Sequence, residues 1–188
     1  FRIGNYEKCI SESTIGLHTA KIISDSIYIM KLLNQRSQAL MSYEKLSESQ
    51  LDIMQVLMIA EKKKYETELK IKKEKIKNTG ILKKLLKALS QLSYQVATAY
   101  KTRAYIFKYR QNFDSSAAFY LQCIKSRLIS KDSGQIAGDY NDIANLYRDS
   151  LKQFDKAIKH YNNGLQFAQA IKDSIRLSRI NDNLGLTY

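Results

Sequence analysis

The fold is decided by the stretch from 140 to 168, which reads YNDIANLYRDSLKQFDKAIKHYNNGLQFA. Its first part places Tyr140, Ile143 and Tyr147 on one helical face, together with Ala144. A short polar link leads to a second stripe, which consists of Ala157, Ile158, Tyr161, Leu165 and Ala168. We therefore expect a helical hairpin in which small residues allow close approach, while aromatic rings, Phe154 among them, fill the gap.

The phrase that opens the second helix recurs along the chain. The hexapeptide at 153–158 has counterparts at 5–10 and 112–117, and a weaker counterpart begins at Leu46. The four copies are aligned through Gly16, Val56, Cys123 and Gly164, at successive spacings of 40, 67 and 41 residues. The repeating unit is therefore about 40 residues long, with about 27 additional residues in the middle interval.

The composition agrees with an all-helical chain. Among 188 residues there is no proline and there are only seven glycines, whereas loop-rich and all-β folds depend on both residue types. Two cysteines cannot provide a disulfide framework. No apolar run approaches the roughly 18 residues that a membrane span requires, so we expect no membrane span.

The repeating hairpin resembles the tetratricopeptide repeat. Its first-helix signature is matched literally by Leu184-Gly185-x-x-Tyr188. Conservative matches are Tyr140, Ile143, Ala144, Tyr147, Ala157 and Tyr161 in one unit, and Tyr100, Ala104, Phe107, Phe113, Ser116 and Tyr120 in the preceding one. The units lack the closing proline and exceed the usual 34 residues. The resemblance implies an all-α solenoid, a right-handed superhelix of helix-turn-helix repeats.

The resemblance also predicts how the chain is organised. We expect degenerate repeats over 1–60, a lysine-rich helical insert over 61–92 and clearer repeats over 93–188, the last of them truncated. Because both ends fall inside a repeat, we expect the repeat array to be longer than this stretch. Units that close in Lys-Asp-Ser resemble the repeat regions of bacterial sensory and regulatory proteins.

A partner-binding face follows from the resemblance, because the first helices of this family line a concave groove. We therefore expect a non-catalytic module that binds a protein or peptide in this groove. A partner with acidic character would fit the groove best. The outward positions predicted to contact the partner are Lys101, Tyr105, Lys108, Asn141, Asn145, Arg148 and Asp182.

The chain carries a formal charge of +13, and residues 61–110 hold 15 Lys and Arg against four Glu. The predicted basic patch consists of Lys62, Lys63, Lys64, Lys70, Lys72, Lys73, Lys75 and Lys77. Three interpretations stay open: a solvated helix, a contact surface for an acidic protein or anionic membrane, and nucleic-acid binding through 62–110. A helix break is expected at Asn78-Thr79-Gly80, since glycine suits a helix C-cap.

The sequence predicts no catalytic, metal or cofactor site. It has no glycine-rich phosphate loop. His18 and His160 are expected on the surface, and neither has a ligand at metal spacing. Cys9 and Cys123 fall where other units have small core residues, so we expect them in the core.

Overall fold

We describe residues 3–73 and 79–188 of a computed structural model. They form eight α-helices and no strand, which confirms the all-α prediction. The helices are α1 Ile3–Ile22, α2 Ser26–Ser42, α3 Leu46–Lys73, α4 Thr79–Tyr109, α5 Phe113–Ser130, α6 Ser133–Asp149, α7 Phe154–Ala170 and α8 Ser174–Gly185. Two compact units are present, unit 1 (Phe1–Arg103) and unit 2 (Ala104–Tyr188), and their boundary lies within α4.

The predicted hairpin at 140–168 is present as α6 packed against α7. Ala144, Ala157 and Tyr161 are fully buried at its centre. The expectation that all the rings fill the gap is wrong for Phe154, which is 48% exposed. Phe154 is the first residue of α7 and therefore lies at the end of the hairpin, outside the region where the two helices face each other.

The repeat register also appears in the burial pattern. We call α1, α3, α5 and α7 second-type helices, since they carry the recurring phrase, and the other four first-type helices. The aligned positions Val56 and Cys123 are fully buried, and Gly164 is buried with them. Each helix packs on its neighbour in the sequence from α1 to α3 within unit 1 and from α5 to α8 within unit 2.

Each of the six helix connections that the structure describes, all but the one between α3 and α4, contains a residue in the left-handed conformation. These residues are Ser24, Glu44, Gln111, Lys131, Lys152 and Lys172, with φ between 53° and 60°. In three connections an aspartate follows at once and caps the next helix: the carboxylates of Asp25, Asp132 and Asp173 accept hydrogen bonds from backbone N–H groups three residues later. One helix therefore ends and the next begins at each of three tripeptides, which are Ser24-Asp25-Ser26, Lys131-Asp132-Ser133 and Lys172-Asp173-Ser174.

The lysine-rich stretch is not a separate element in the described residues. It is formed by the second half of α3 and the first part of α4, helices of 28 and 31 residues. The expected role of Gly80 as a helix C-cap is wrong, because Gly80 lies in the first turn of α4. Asn78, which was also predicted to form the break, lies outside the described residues.

Candidate partner-binding face

The first-type helices α6 and α8 pack side by side in unit 2 through polar side chains. The Nδ2 of Asn183 donates to Oδ1 of Asn141 over 2.8 Å, and Nη1 of Arg148 donates to the Asn183 carbonyl oxygen over 3.0 Å. Asn141 is only 7% exposed. The expectation that Asn141 points outward is therefore wrong, because α8 covers this position.

Asn145 has a structural partner of its own. The hydroxyl of the fully buried Tyr161 donates to its Oδ1 over 2.5 Å. The Arg148 guanidinium lies over the Tyr161 ring, 5.9 Å from the centroid. Asn145 and Arg148 are consequently half-buried groups whose orientation is fixed from beneath by α7.

The C-terminal end of α4 contributes Tyr105 and Lys108, both half-buried. The Tyr105 hydroxyl donates to Oδ2 of Asp142 over 3.1 Å, and its ring meets the Tyr120 ring edge-on at 5.8 Å. These contacts hold Tyr105 against α5 and α6. Lys101, predicted for the same face, is half-buried and belongs to unit 1.

Two carboxylates on this face, Asp142 and Asp149, were missed by the sequence reasoning, whose one predicted carboxylate is Asp182. Asp142 accepts from Tyr105, and Asp149 forms an ion pair with Arg148 over 2.6 Å. The hydrogen bond from Arg148 lowers the pKa of Asp149 below its usual value, and the charges of Arg148, Lys108 and Lys152 add to this effect. The face is therefore of mixed charge and not purely cationic.

On α8, Asp182 is exposed and lies in a shallow surface depression with Ser178 and Arg179. No ion pair involves its carboxylate among the residues that the structure describes. Of the seven predicted contact residues, Asp182 alone is exposed, while the other six are buried or half-buried. It is therefore available to a partner without any rearrangement of the fold.

His160 is half-buried, whereas the sequence predicted an exposed surface residue. Its ring stacks on Tyr147 at 5.3 Å and 4° and on Tyr140 at 5.9 Å and 28°. Its Nδ1 is buried without a hydrogen-bond partner. This desolvation lowers the pKa of His160, and the charges of Lys159 and Lys156 lower it further.

The two cysteines differ in burial. Cys123 is fully buried, as predicted, and its thiol donates to Oδ2 of Asp139 over 3.2 Å. Asp139 is also fully buried and pairs with Arg127, which is 2% exposed, over 3.4 Å. The sequence reasoning missed this buried ion pair. Cys9 is only half-buried and lines a groove between α1 and α2.

The basic patch lies on the second half of α3. Two of its lysines pair along the helix, Lys63 with Glu66 over 3.0 Å and Lys64 with Glu68 over 3.9 Å. The exposed members without an ion pair among the described residues are Lys62, Lys70 and Lys72. The side chain of Lys73, and Lys75 and Lys77 altogether, lie outside the described residues.

Residues 3–73 and 79–188 lack two kinds of feature. No group of three or more His, Cys, Asp or Glu side chains is arranged to hold a metal ion there. Within the same residues, no helix combines the length and the apolar character that a membrane crossing needs.

The fold and packing define an all-α helical repeat protein. No family model and no curated protein matches the chain. Among solved structures, BtubC (BKLC) from P. vanneervenii matches with a TM-score of 0.69 and 15% sequence identity, over 97% of this chain and 65% of BtubC. The chain thus spans about two thirds of the length of BtubC. At this identity the likeness shows the fold alone.

Proposed function

We propose that the chain is a non-catalytic protein-interaction module of the tetratricopeptide-repeat type. Its partner is a peptide or protein segment that lies across the first-type helices of unit 2. Membership in that repeat class, and a place in a larger bacterial regulatory or signalling protein, rest on the resemblance in the sequence. The binding role rests on the arrangement of polar groups on α4, α6 and α8.

The observation that carries the proposal is the way these polar groups are held. Tyr105 is fixed by Asp142, Arg148 by Asp149 and Asn183, and Asn145 by Tyr161. Side chains already fixed in one orientation lose little conformational entropy when a ligand binds them. Lys108 and Arg148 offer cations to an acidic group of the partner, and Asp182 offers a carboxylate at the far end of the face.

The test is affinity capture from a native lysate with the immobilised chain and a matched pair of variants. Lys108→Ala removes a cation from the proposed face, whereas Lys125→Ala removes an exposed lysine from α5. We expect Lys108→Ala to reduce retention of the captured protein severalfold and Lys125→Ala to leave it unchanged. Equal retention by both variants would overturn the assignment of this face.

A second candidate function is binding of nucleic acid or an anionic surface through 62–110. The observation in its favour is that Lys62, Lys70 and Lys72 are exposed without ion pairs, with Tyr65, 68% exposed, between them. Contacts to phosphates lose affinity steeply between about 50 and about 200 mM salt. Captured nucleic acid that is released over this range, with no protein retained, would favour this second function.

A further inference from the structure

Helix α3 carries exposed apolar side chains on the side opposite to its buried face. The buried face contains Ile53, Val56 and Ala60. At about 3.6 residues per turn, a second set of apolar side chains falls on the other side of the helix. We call this set the α3 stripe, and its members are between 37% and 68% exposed: Leu51, Met54, Met58, Tyr65 and Leu69. The stripe extends for about 27 Å along the helix.

Stacking of repeats leaves this face of a second-type helix open to solvent. Helix α7 packs against a first-type helix on each side, α6 before it and α8 after it. The α7 positions that correspond to Leu51, Met54 and Met58 are nevertheless exposed, and they hold Lys159, Asn162 and Gln166. Further repeats at either end of the chain would therefore not cover the α3 stripe.

Among the four second-type helices, this face is most apolar in α3. The corresponding positions are polar in α7, and in α1 they are Ser11, Thr14 and His18. In α5 they are Ala118, Leu121 and Lys125. Polar side chains satisfy the repeat at these positions, so packing within the repeat does not account for the α3 stripe. Contiguous exposed apolar residues of this kind typically mark a contact surface.

The side chains around the α3 stripe carry an excess of positive charge. Between positions 61 and 72 there are five lysines and three glutamates. Two of the glutamates form ion pairs, Glu66 with Lys63 and Glu68 with Lys64. The other charged residues of this segment are all exposed: Glu61, Lys62, Lys70 and Lys72. An anionic partner therefore fits this surface, whereas a second copy of this chain, with its formal charge of +13, would be repelled.

The form of the α3 stripe distinguishes between two kinds of anionic partner. It is a single row of side chains on one helix, whereas a bound peptide helix lies in an apolar groove. A lipid interface is broad and contacts such a row along its whole length. Lysines beside the row, here Lys62 and Lys72, extend their charged ends to the lipid headgroups while their stems stay on apolar surface. The stripe therefore matches a lipid surface better than an acidic peptide.

We propose that the α3 stripe binds an anionic lipid surface. Helix α3 lies along the plane of the bilayer, with Met54, Met58 and Tyr65 at the boundary between headgroups and acyl chains. Lys62 and Lys72 contact the lipid phosphates. This inference rests on the second candidate function, which it narrows from nucleic acid or any anionic surface to a lipid surface. It does not involve the partner-binding face on α4, α6 and α8.

Cosedimentation of the full chain with lipid vesicles tests the proposal. The vesicles consist of phosphatidylcholine alone or of equal parts of phosphatidylcholine and phosphatidylglycerol. We expect the wild type to bind the anionic vesicles and not the neutral ones. Met54→Gln with Met58→Gln keeps the helix preference but removes two apolar side chains, and it should weaken binding by at least about tenfold. The control is Leu121→Gln, at the position of α5 that corresponds to Met54, which should bind as the wild type does.

Charge variants test the lysines beside the stripe. Lys62→Glu with Lys72→Glu should weaken binding to the anionic vesicles by at least about tenfold. Lys125→Glu with Lys159→Glu changes the net charge of the chain by the same amount at exposed positions of unit 2, and it should change binding far less. Glu61→Gln removes an exposed carboxylate at the edge of the stripe and should strengthen binding.

The depth of the contact can be measured by fluorescence, because the chain has no tryptophan. Tyr65→Trp places a single tryptophan in the α3 stripe, and Phe154→Trp places one at an exposed position of α7 as the control. On addition of anionic vesicles, the emission of Tyr65→Trp should shift to shorter wavelength, and that of Phe154→Trp should stay unchanged.

The variants are all at exposed positions, and circular dichroism checks that each is folded. A wild type that does not bind anionic vesicles would overturn the proposal, and the α3 stripe would then belong to a protein segment. Binding that depends on Lys62 and Lys72 but not on Met54 and Met58 would also overturn it, while leaving the second candidate function intact. An unchanged emission of Tyr65→Trp would contradict insertion of the stripe, and equal binding to neutral vesicles would contradict the role of charge.

Discussion

The carbonyl oxygen of Ala137 in α6 lies so near Gly164 in α7 that an added Cβ would be 3.2 Å from it. The neighbouring atom is backbone and cannot move aside as a flexible side chain could. This contact sets how closely the two helices approach, and the repeat alignment placed a small residue at this position from the sequence.

Gly164→Ala should therefore destabilise the chain, although alanine is the better helix former. Overpacking typically costs about 1–3 kcal/mol, and the helix preference returns about 1 kcal/mol. The control is Gly138→Ala in α6, where an added Cβ meets no atom within 4 Å. In urea unfolding, the free energy of unfolding should be lower for Gly164→Ala and higher for Gly138→Ala than for the wild type. A higher value for both variants would contradict the close packing.

Tyr161 tests the ring and the hydroxyl separately. Its ring is fully buried, so Tyr161→Ala should lower the free energy of unfolding by about 3–5 kcal/mol. Tyr161→Phe keeps the ring and removes only the hydroxyl, which donates a hydrogen bond to Asn145, and this should cost about 1 kcal/mol. Thermal denaturation of both variants measures the difference. Equal effects, or a negligible effect of Tyr161→Ala, would show that the ring is not in the core.

The left-handed residues in the connections offer a stabilising substitution. Lys131 and Lys172 have φ of 59° and 54°, a conformation that glycine adopts without strain. Each change to glycine should raise the free energy of unfolding by about 0.5–1 kcal/mol, since relief of strain exceeds the added entropy of the unfolded chain. Lys125→Gly, inside α5, should instead lower it by about 1 kcal/mol. A lower free energy of unfolding for all three glycine variants would contradict the left-handed conformation of Lys131 and Lys172.

His160 should make stability depend on pH. The pKa of His160 is lowered in the folded chain. At a pH below the unfolded-state pKa of about 6.5, the unfolded state therefore binds the proton more readily than the folded state does. Stability should therefore fall as the pH drops from about 6.5 through the folded pKa. Over this pH range, the melting temperature of His160→Gln should fall less than that of the wild type.

The control for this titration is His18→Gln, which removes the other histidine of the chain from an exposed position on α1. Its melting temperature should follow that of the wild type as the pH is lowered. A wild type and a His160→Gln variant with the same pH dependence would mean that protonation of His160 is not opposed by its burial and by the charges of Lys159 and Lys156.

The sequence predicts those parts of the fold that depend on local patterns. The stripe from Tyr140 to Tyr147 and the aligned Cys123 and Gly164 predicted helices and burial that the structure contains. Each feature is a property of one helix or of one hairpin. The recurring Asp between helices is likewise a local feature, so the sequence predicts a boundary between helices at each of these residues. Their role as helix caps is seen only in the structure.

The predicted face was less accessible to sequence reasoning, because the exposure of a first-type helix depends on the next repeat. Asn141 is covered by α8, and no pattern within α6 signals this. The half-buried ring of His160 stacks on tyrosines of the other helix of its hairpin, and the Arg127–Asp139 pair joins two helices. Such contacts depend on the lateral position of neighbouring helices, which residue spacing does not specify.

The most direct test of the binding role is hydrogen–deuterium exchange of the chain with and without its captured partner. The proposed function predicts added protection at the C-terminal end of α4 and along α6, around Tyr105, Lys108 and Arg148, with α3 unchanged. Protection confined to the second half of α3, around Lys62 and Lys70, would contradict it and assign binding to the basic patch.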